Sequence, residues 1–189
     1  CTENYYLWPN KVDKSTVLPM AQVRRILVTG ASGYVGGRLV RALLGEKMKV
    51  RIFVRDKQKV AGQPWIKAVE VSEGNASNYE DALAALKGVH TAFYLLHSIG
   101  VGSHFDEIEA AMADNFSRAC QAAGVSQIVY LGGIANDKNA SKHLASRART
   151  GELLASGKVP VMELRAGIII GSGSASFEML RHLTHRLPV

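Results

Sequence analysis

Three glycines spaced three apart, Gly30, Gly33 and Gly36, carry the clearest chemical signal in this chain of 189 residues. They belong to Thr29-Gly30-Ala31-Ser32-Gly33-Tyr34-Val35-Gly36-Gly37. A β-rich run, residues 23–29, comes before them and reads as a buried strand, and an amphipathic stretch, residues 35–44, follows. This order suits the pyrophosphate of a dinucleotide. The first glycine makes the tight turn out of a strand, the second lets the backbone approach the anion, and the third lets the helix pack closely. The helix N-terminus adds free N–H groups and a partial positive charge. No Gly-Lys-Ser/Thr follows the loop, which excludes a P-loop phosphate site.

A second signal lies about 20 residues further on, where dinucleotide sites that prefer NAD place an Asp or Glu on the ribose hydroxyls. Here the chain reads Val54-Arg55-Asp56-Lys57. A guanidinium in that slot suits a 2′-phosphate, which would repel a carboxylate. Arg55 thus favours NADP over NAD, with Lys57 and Arg38 adding to the positive field. A register shifted by one would instead put Asp56 on the ribose and leave Arg55 as a surface charge. Gly171-Ser172-Gly173-Ser174-Ala175-Ser176 reads as a substrate-side loop capped by Ser174 or Ser176, or as an anion-binding turn. No Cys/His cluster has metal spacing, so no metal is expected, and no Gly-x-Ser-x-Gly elbow is present.

The elements that must position these residues alternate. Strands are expected at 23–29, 49–54, 65–71, 89–95, 126–131 and 159–165, with helices at 35–44, 78–86, 104–123, 141–156 and 174–186. The longest helix has Ile108, Met112, Phe116, Ala119 and Ala123 at helical spacing and ends at Gly124. Strands separated by single helices imply right-handed βαβ crossovers. The expected fold is therefore α/β, a Rossmann-type doubly wound parallel sheet with helices on both faces.

Hydrophobic residues make up 47% of the chain and charged residues 21%, which excludes a disordered chain, a collagen-like repeat and a disulfide scaffold. No run approaches the length of a transmembrane helix. With two cysteines only, Cys1 and Cys120, a reducing, cytoplasmic setting is expected. The net charge of +7 suits an anionic partner, but the basic groups, Arg51 to Lys59 and Lys138 to Arg149, lack interleaved aromatics. A phosphorylated cofactor therefore fits better than nucleic acid. Residues 1–19 show no periodicity and are not a signal peptide. They read as an irregular N-terminal extension of cloning origin or from an upstream reading frame, with Met20 as the native start and residues 20–189 as the domain.

The segments TGASGYVGG, FVRD, YLLHSIG, IVYLGGI and LRAGIIIGSGSASFEML together resemble the atypical short-chain dehydrogenase/reductase superfamily. They are most similar to its NmrA-like NAD(P)-binding branch and to the extended, epimerase-like members. The resemblance spans residues 23–189. It implies that Gly30, Ser32, Gly33, Tyr34, Val35 and Gly36 lie along the pyrophosphate and Arg55 at the adenosine ribose. Asn75 would sit near the adenine, and Leu95, Leu96 and His97 would line the cofactor after the fourth strand. Asn115 matches an Asn that relatives use structurally. Members of this kind usually continue into further substrate-binding elements, so residues 20–189 are expected to be an NAD(P)-binding domain without them, and the long helices of such folds often form homodimer interfaces.

Catalytic members carry a Ser at the end of the fifth strand and a Tyr and a Lys four residues apart on the next helix. The Lys lowers the Tyr pKa so that a proton can move as hydride moves. Here the strand ends Tyr130-Leu131-Gly132-Gly133, and His143 and Arg147 stand at the Tyr and Lys positions. Arg beside His would favour the neutral imidazole, and the two could equally be plain helix-surface residues. His97 with Ser98 forms a second candidate pair near the nicotinamide, unless His97 only lines the pocket. The resemblance thus implies an NADP-dependent oxidoreductase or isomerase acting on a small molecule. The alternative is a non-catalytic dinucleotide-binding protein, such as an NmrA-like redox sensor or the related accessory subunit of respiratory complex I. The missing Ser, Tyr and Lys favour the alternative.

Overall fold

The computed structural model describes residues 24–97, 105–134, 141–167, 169–171 and 173–186. The extension at 1–19, Ser98 and the expected helix start at 104 lie outside the described residues. Among the described residues there are six strands: β1 (Arg25–Thr29), β2 (Lys49–Val54), β3 (Glu70–Glu73), β4 (Val89–Tyr94), β5 (Gln127–Gly133) and β6 (Val161–Ala166). Four helices, α1 (Tyr34–Gly45), α2 (Tyr79–Leu86), α3 (Phe105–Ala123) and α4 (Lys142–Ala155), join strands; β2 and β3 are joined through the short helical turns Lys57–Val60 and Ile66–Ala68, and α5 (Ala175–Arg186) follows β6. All strand pairs are parallel, in the order β3-β2-β1-β4-β5-β6.

The central strands are apolar on both sides because each face of the sheet is covered. On one face Leu27, Ala92, Tyr94, Ile128 and Tyr130 meet Ala82 and Leu86 of α2, Phe116 and Cys120 of α3 and Leu154 of α4. On the other, Ile26, Val28, Val50 and Ile52 meet Val40 of α1 together with Val60 and Trp65. Full burial of a side chain such as Leu27 contributes about 2 kcal/mol. The order reverses between β1 and β4. Both strands end at the same edge, and a crevice at that edge is where ligands of open α/β sheets bind.

Three expectations shift. The third strand is Glu70–Glu73, whereas Trp65 and the short helical turn Ile66–Ala68 precede it. Trp65 is buried against β2 and α1, so its apolar signal marks a packing anchor and not a ladder residue. β3 is instead polar, with Glu70 bridging Arg25 and Arg51. β6 starts at Val161, after Pro160, which has no N–H to give to the ladder. β5 runs on through Gly132 and Gly133, paired with Arg165 and Ala166. A Cβ on Gly132 would meet the Glu163 carboxylate, so a larger residue there would require that side chain to swing aside.

Candidate functional site

The crevice begins at Thr29, the last residue of β1. Its buried hydroxyl donates to the Phe93 carbonyl (3.0 Å) and accepts the Leu95 N–H (2.8 Å). These two bonds hold the end of β4 against the glycine loop. Gly30 then turns with φ +65°, and a Cβ there would sit 2.6 Å from the Leu95 carbonyl oxygen. Gly30 is thus required twice, by its backbone conformation and by the approach of β4. Gly36 is required by close packing. Its Cβ would overlap the Gly30 carbonyl oxygen and lie 2.9 Å from Ala31 Cα, so the helix packs on the turn itself.

α1 starts after Gly33, which is extended and gives no side-chain cap, and no acid stands in the first turn. The other helix starts differ. Asn78 caps α2 through the Glu80 and Asp81 N–H groups, and Ser141 caps α4 through the Leu144 N–H. Ser32 and Gly33 are exposed, Tyr34 and Val35 half-buried, Gly36 buried. The first-turn N–H groups of α1 are therefore left for an anion from outside the chain, which is the condition for a pyrophosphate. The cleft fits a dinucleotide on this ground.

At the end of β2 the three candidate charges separate. Asp56 caps the turn Lys57–Val60 by accepting the Gln58 N–H (2.9 Å). Lys57 pairs with Glu73 through its backbone N–H (3.1 Å) and its ammonium (3.2 Å). Those two contacts hold the Glu73 carboxyl below its ordinary range. Arg55 is exposed and has no ion pair with another described residue.

Asn75 is exposed, and its side-chain oxygen accepts the Ser77 N–H (3.0 Å) while its own N–H donates to Asp81 (2.8 Å). The Asn115 amide donates to the Ser77 carbonyl (2.8 Å), fastening α3 to the same turn. Asn115 thus plays a structural part here.

The opposite end is made of long side chains. Leu95, Leu96 and His97 follow β4, all half-buried, and Leu95 packs into the core below α1. Arg147 of α4 reaches across to them. Its Nη1 donates to the His97 ring at 2.8 Å, and its Nη2 donates to the Leu131 carbonyl at 2.5 Å. Arginine has no lone pair to accept with, so the imidazole accepts and is neutral. Burial first, then the Arg147 charge, lowers the His97 pKa to about 4. His97 is therefore no acid near neutrality. His143 stands one turn before Arg147 on α4, half-buried and close enough for its charge to oppose protonation of His97.

Sequence reasoning missed the groups behind this pair. Glu109 of α3 is 5% exposed, and the Ser146 hydroxyl of α4 donates to it (2.5 Å). Its negative charge acts on His97, Tyr94 and Tyr130. The Tyr130 hydroxyl donates to the Arg147 carbonyl (2.9 Å). Burial pushes that phenol up to about 12 and raises Tyr94 further, so neither tyrosine replaces the missing catalytic one. Helical spacing could have hinted at Ser146 beside His143 and Thr150, but nothing local marks Glu109 as buried. Among the described residues no group of His, Cys, Asp and Glu could hold a metal ion, and no helix is long and apolar enough to cross a membrane.

Known proteins resemble parts of this chain in sequence or in fold. A 3β-hydroxysteroid dehydrogenase/Δ5→4-isomerase of Mycobacterium tuberculosis is 31% identical over 119 residues, covering 58% of this chain and 31% of that protein. The chain thus spans about a third of that relative's length. Citrobacter sp. triphenylmethane reductase complexed with NADP(H) superposes with a TM-score of 0.68 at 23% identity, over 85% of this chain and 55% of that one. A nucleoside-diphosphate-sugar epimerase from Staphylococcus aureus gives 0.64 at 24% identity, over 75% and 50%. At these identities the two structures show a shared fold. The NAD(P)H-binding family matches residues 30–158. The match covers everything from the first glycine of the loop to the end of α4, and the chain belongs to that NAD(P)H-binding family.

Proposed function

We propose that the chain is the cofactor half of an NADP-preferring oxidoreductase acting on a small carbonyl or alcohol. The observation that carries the cofactor preference is the division of charge after β2. Asp56 is engaged in a cap and Lys57 in an ion pair, whereas Arg55 is exposed without an ion-pair partner among the described residues. That arrangement supports a 2′-phosphate on Arg55. The uncapped start of α1 would take the pyrophosphate, and Leu95, Leu96 and His97 would line the path toward the nicotinamide.

The cofactor, when bound, supplies or accepts a hydride. The chain must then manage the charge on the substrate oxygen. Arg147 is fixed from two sides, by the Leu131 carbonyl and by a His97 ring that stays neutral. A guanidinium held this way stabilises developing negative charge on an oxygen without having to reorganise. His143, on the same helix, is the group that would exchange the proton. Glu109 balances the cationic cluster from behind.

The test is a parallel titration with NADPH and NADH followed by cofactor fluorescence, at low and physiological salt. NADPH binding tightly and NADH weakly is the expected result. Comparable affinities would remove the role of Arg55, and binding of neither would remove the site. Hydride exchange between bound NADPH and a panel of carbonyls, 3-oxosteroids and triphenylmethane dyes included, then tests the chemistry. Exchange that disappears in His143→Ala with NADPH binding intact is expected. Tight binding without exchange on any compound would favour the second reading, a dinucleotide-responsive protein without catalysis, which the lowered His97 pKa and the unavailable tyrosines support.

A further inference from the structure

The family match ends at residue 158, and the glycine- and serine-rich segment before α5 lies beyond it. The structure nevertheless sets this segment against the glycine loop. Tyr34 is the first residue of α1. A Cβ built on Gly171 would overlap the Tyr34 hydroxyl and lie 3.3 Å from Cζ. One built on Gly173 would lie 3.9 and 4.0 Å from the ring carbons Cε2 and Cδ2. Both glycines therefore rest against one tyrosine, Gly171 at its hydroxyl and Gly173 along the ring edge. Gly173 also has φ +85°, which side-chain-bearing residues avoid. The Arg38 guanidinium carbon stands 4.4 Å from the centre of the same ring, a cation–π arrangement that restrains it.

The described residues of the segment are held by hydrogen bonds. Ser174 is buried. Its hydroxyl donates to the Ile169 carbonyl (3.1 Å) and accepts the Phe177 N–H (3.2 Å). Its N–H donates to the Gly171 carbonyl (2.9 Å), and the Gly173 N–H donates to Glu178 (3.4 Å). Gly171, Gly173, Ser174 and the start of α5 are thus tied to one another, and the ring that the two glycines rest on belongs to the helix turn whose N–H groups would face the pyrophosphate.

We infer that Tyr34 is a positioning residue that clamps Gly171 and Gly173 onto the start of α1, making them a further wall of the dinucleotide site. The inference rests on the dinucleotide reading of the glycine loop. Its consequence is reciprocal: if the docked wall favours the cofactor, the cofactor favours the docked wall to the same extent. Overpacking at the contact then weakens cofactor binding, and a substitution that vacates the same space restores it.

The hydroxyl of Tyr34 occupies the place of a Gly171 methyl, which permits an exchange of one for the other. Gly171→Ala should weaken NADPH binding roughly tenfold and speed amide hydrogen exchange across residues 169–178. The double variant Tyr34→Phe with Gly171→Ala should bring both readings back to within about twofold of the wild type. Bound NADPH should slow exchange in the same segment of the wild type. Unchanged affinity in Gly171→Ala overturns the wall, whether or not exchange rises. A loss that Tyr34→Phe does not rescue overturns the clamp. Should Gly171→Ala fail to fold, Tyr34→Ala keeps the glycine and removes the ring. It should give the same weakened binding and faster exchange, and wild-type values for both would overturn the clamp. Failure of the wild type to bind either cofactor removes the site and the wall with it, an outcome separate from equal binding by wild type and variant.

Discussion

The two ends of the cleft are built from different material. At the glycine loop the groups proposed to bind are backbone: an uncapped helix start, a positive-φ turn at Gly30 and a contact at Gly36 that admits no Cβ. At the far end they are long side chains from separate elements, His97 after β4, Glu109 on α3, His143 and Arg147 on α4. A backbone site is shaped by a few adjacent residues and tolerates almost no added atoms. A side-chain site is assembled over long separations and is tuned by burial and charge, so its members can be exchanged one at a time. The pattern matches this difference. The glycine spacing is intact, whereas the usual Ser, Tyr and Lys positions hold other residues.

The comparison can be broken most directly at Gly36. Gly36→Val should abolish measurable cofactor binding and cost about 3 kcal/mol or more of stability, because the new atoms meet the Gly30 carbonyl and not a flexible side chain. A thermal melt beside the NADPH titration checks it. A folded variant that still binds would mean that the helix can shift off the turn.

The side-chain end should answer to pH. The folded-state pKa of His97, about 4, lies below its ordinary value of 6.5. Between those values the unfolded chain binds a proton that the folded chain does not. Stability should therefore fall as pH drops through that window, by at most about 3 kcal/mol, and this contribution should level off below it. Denaturant melts across the window check the slope, and His97→Phe should flatten it. Nuclear magnetic resonance titration of Arg147→Met should show His97 moving up only in part, since burial is the larger cause.

A smaller effect separates recognition from folding. Arg55→Glu should lose NADPH affinity by roughly tenfold to a hundredfold, with little change in NADH affinity or melting temperature, because the exposed side chain contributes little to the core. The smallest expected change is at Asn115→Ala, about 1 kcal/mol of stability, from losing one hydrogen bond to the Ser77 carbonyl. A much larger loss there would mean that the turn around Asn75 is coupled to the site.

Legibility follows the same division. The strand–loop–helix unit around Gly30 and the helices at Tyr34–Gly45 and Lys142–Ala155 are close to what periodicity predicts, since each is specified within one or two turns of chain. The third strand was not legible. Trp65 carries the apolar signal, but it anchors the core, while the ladder falls on Glu70–Glu73, held at the sheet edge by pairing with β2. Thr29 has no special local context. It stitches β1 to β4 only because Phe93 and Leu95 arrive beside it from 64 and 66 residues away.

By itself the sequence determined the doubly wound order of elements and the glycine loop, because hydrophobic period, turn residues and a strand-to-helix junction are local physics. It also determined which charged residues follow β2. Tertiary structure decided which of those charges is engaged. It placed Arg147 on His97 and the Leu131 carbonyl, buried Glu109 beside Ser146, and laid Gly171 and Gly173 on Tyr34. Most of these contacts join segments far apart in the chain, where burial and electric field depend on what the folded chain brings near.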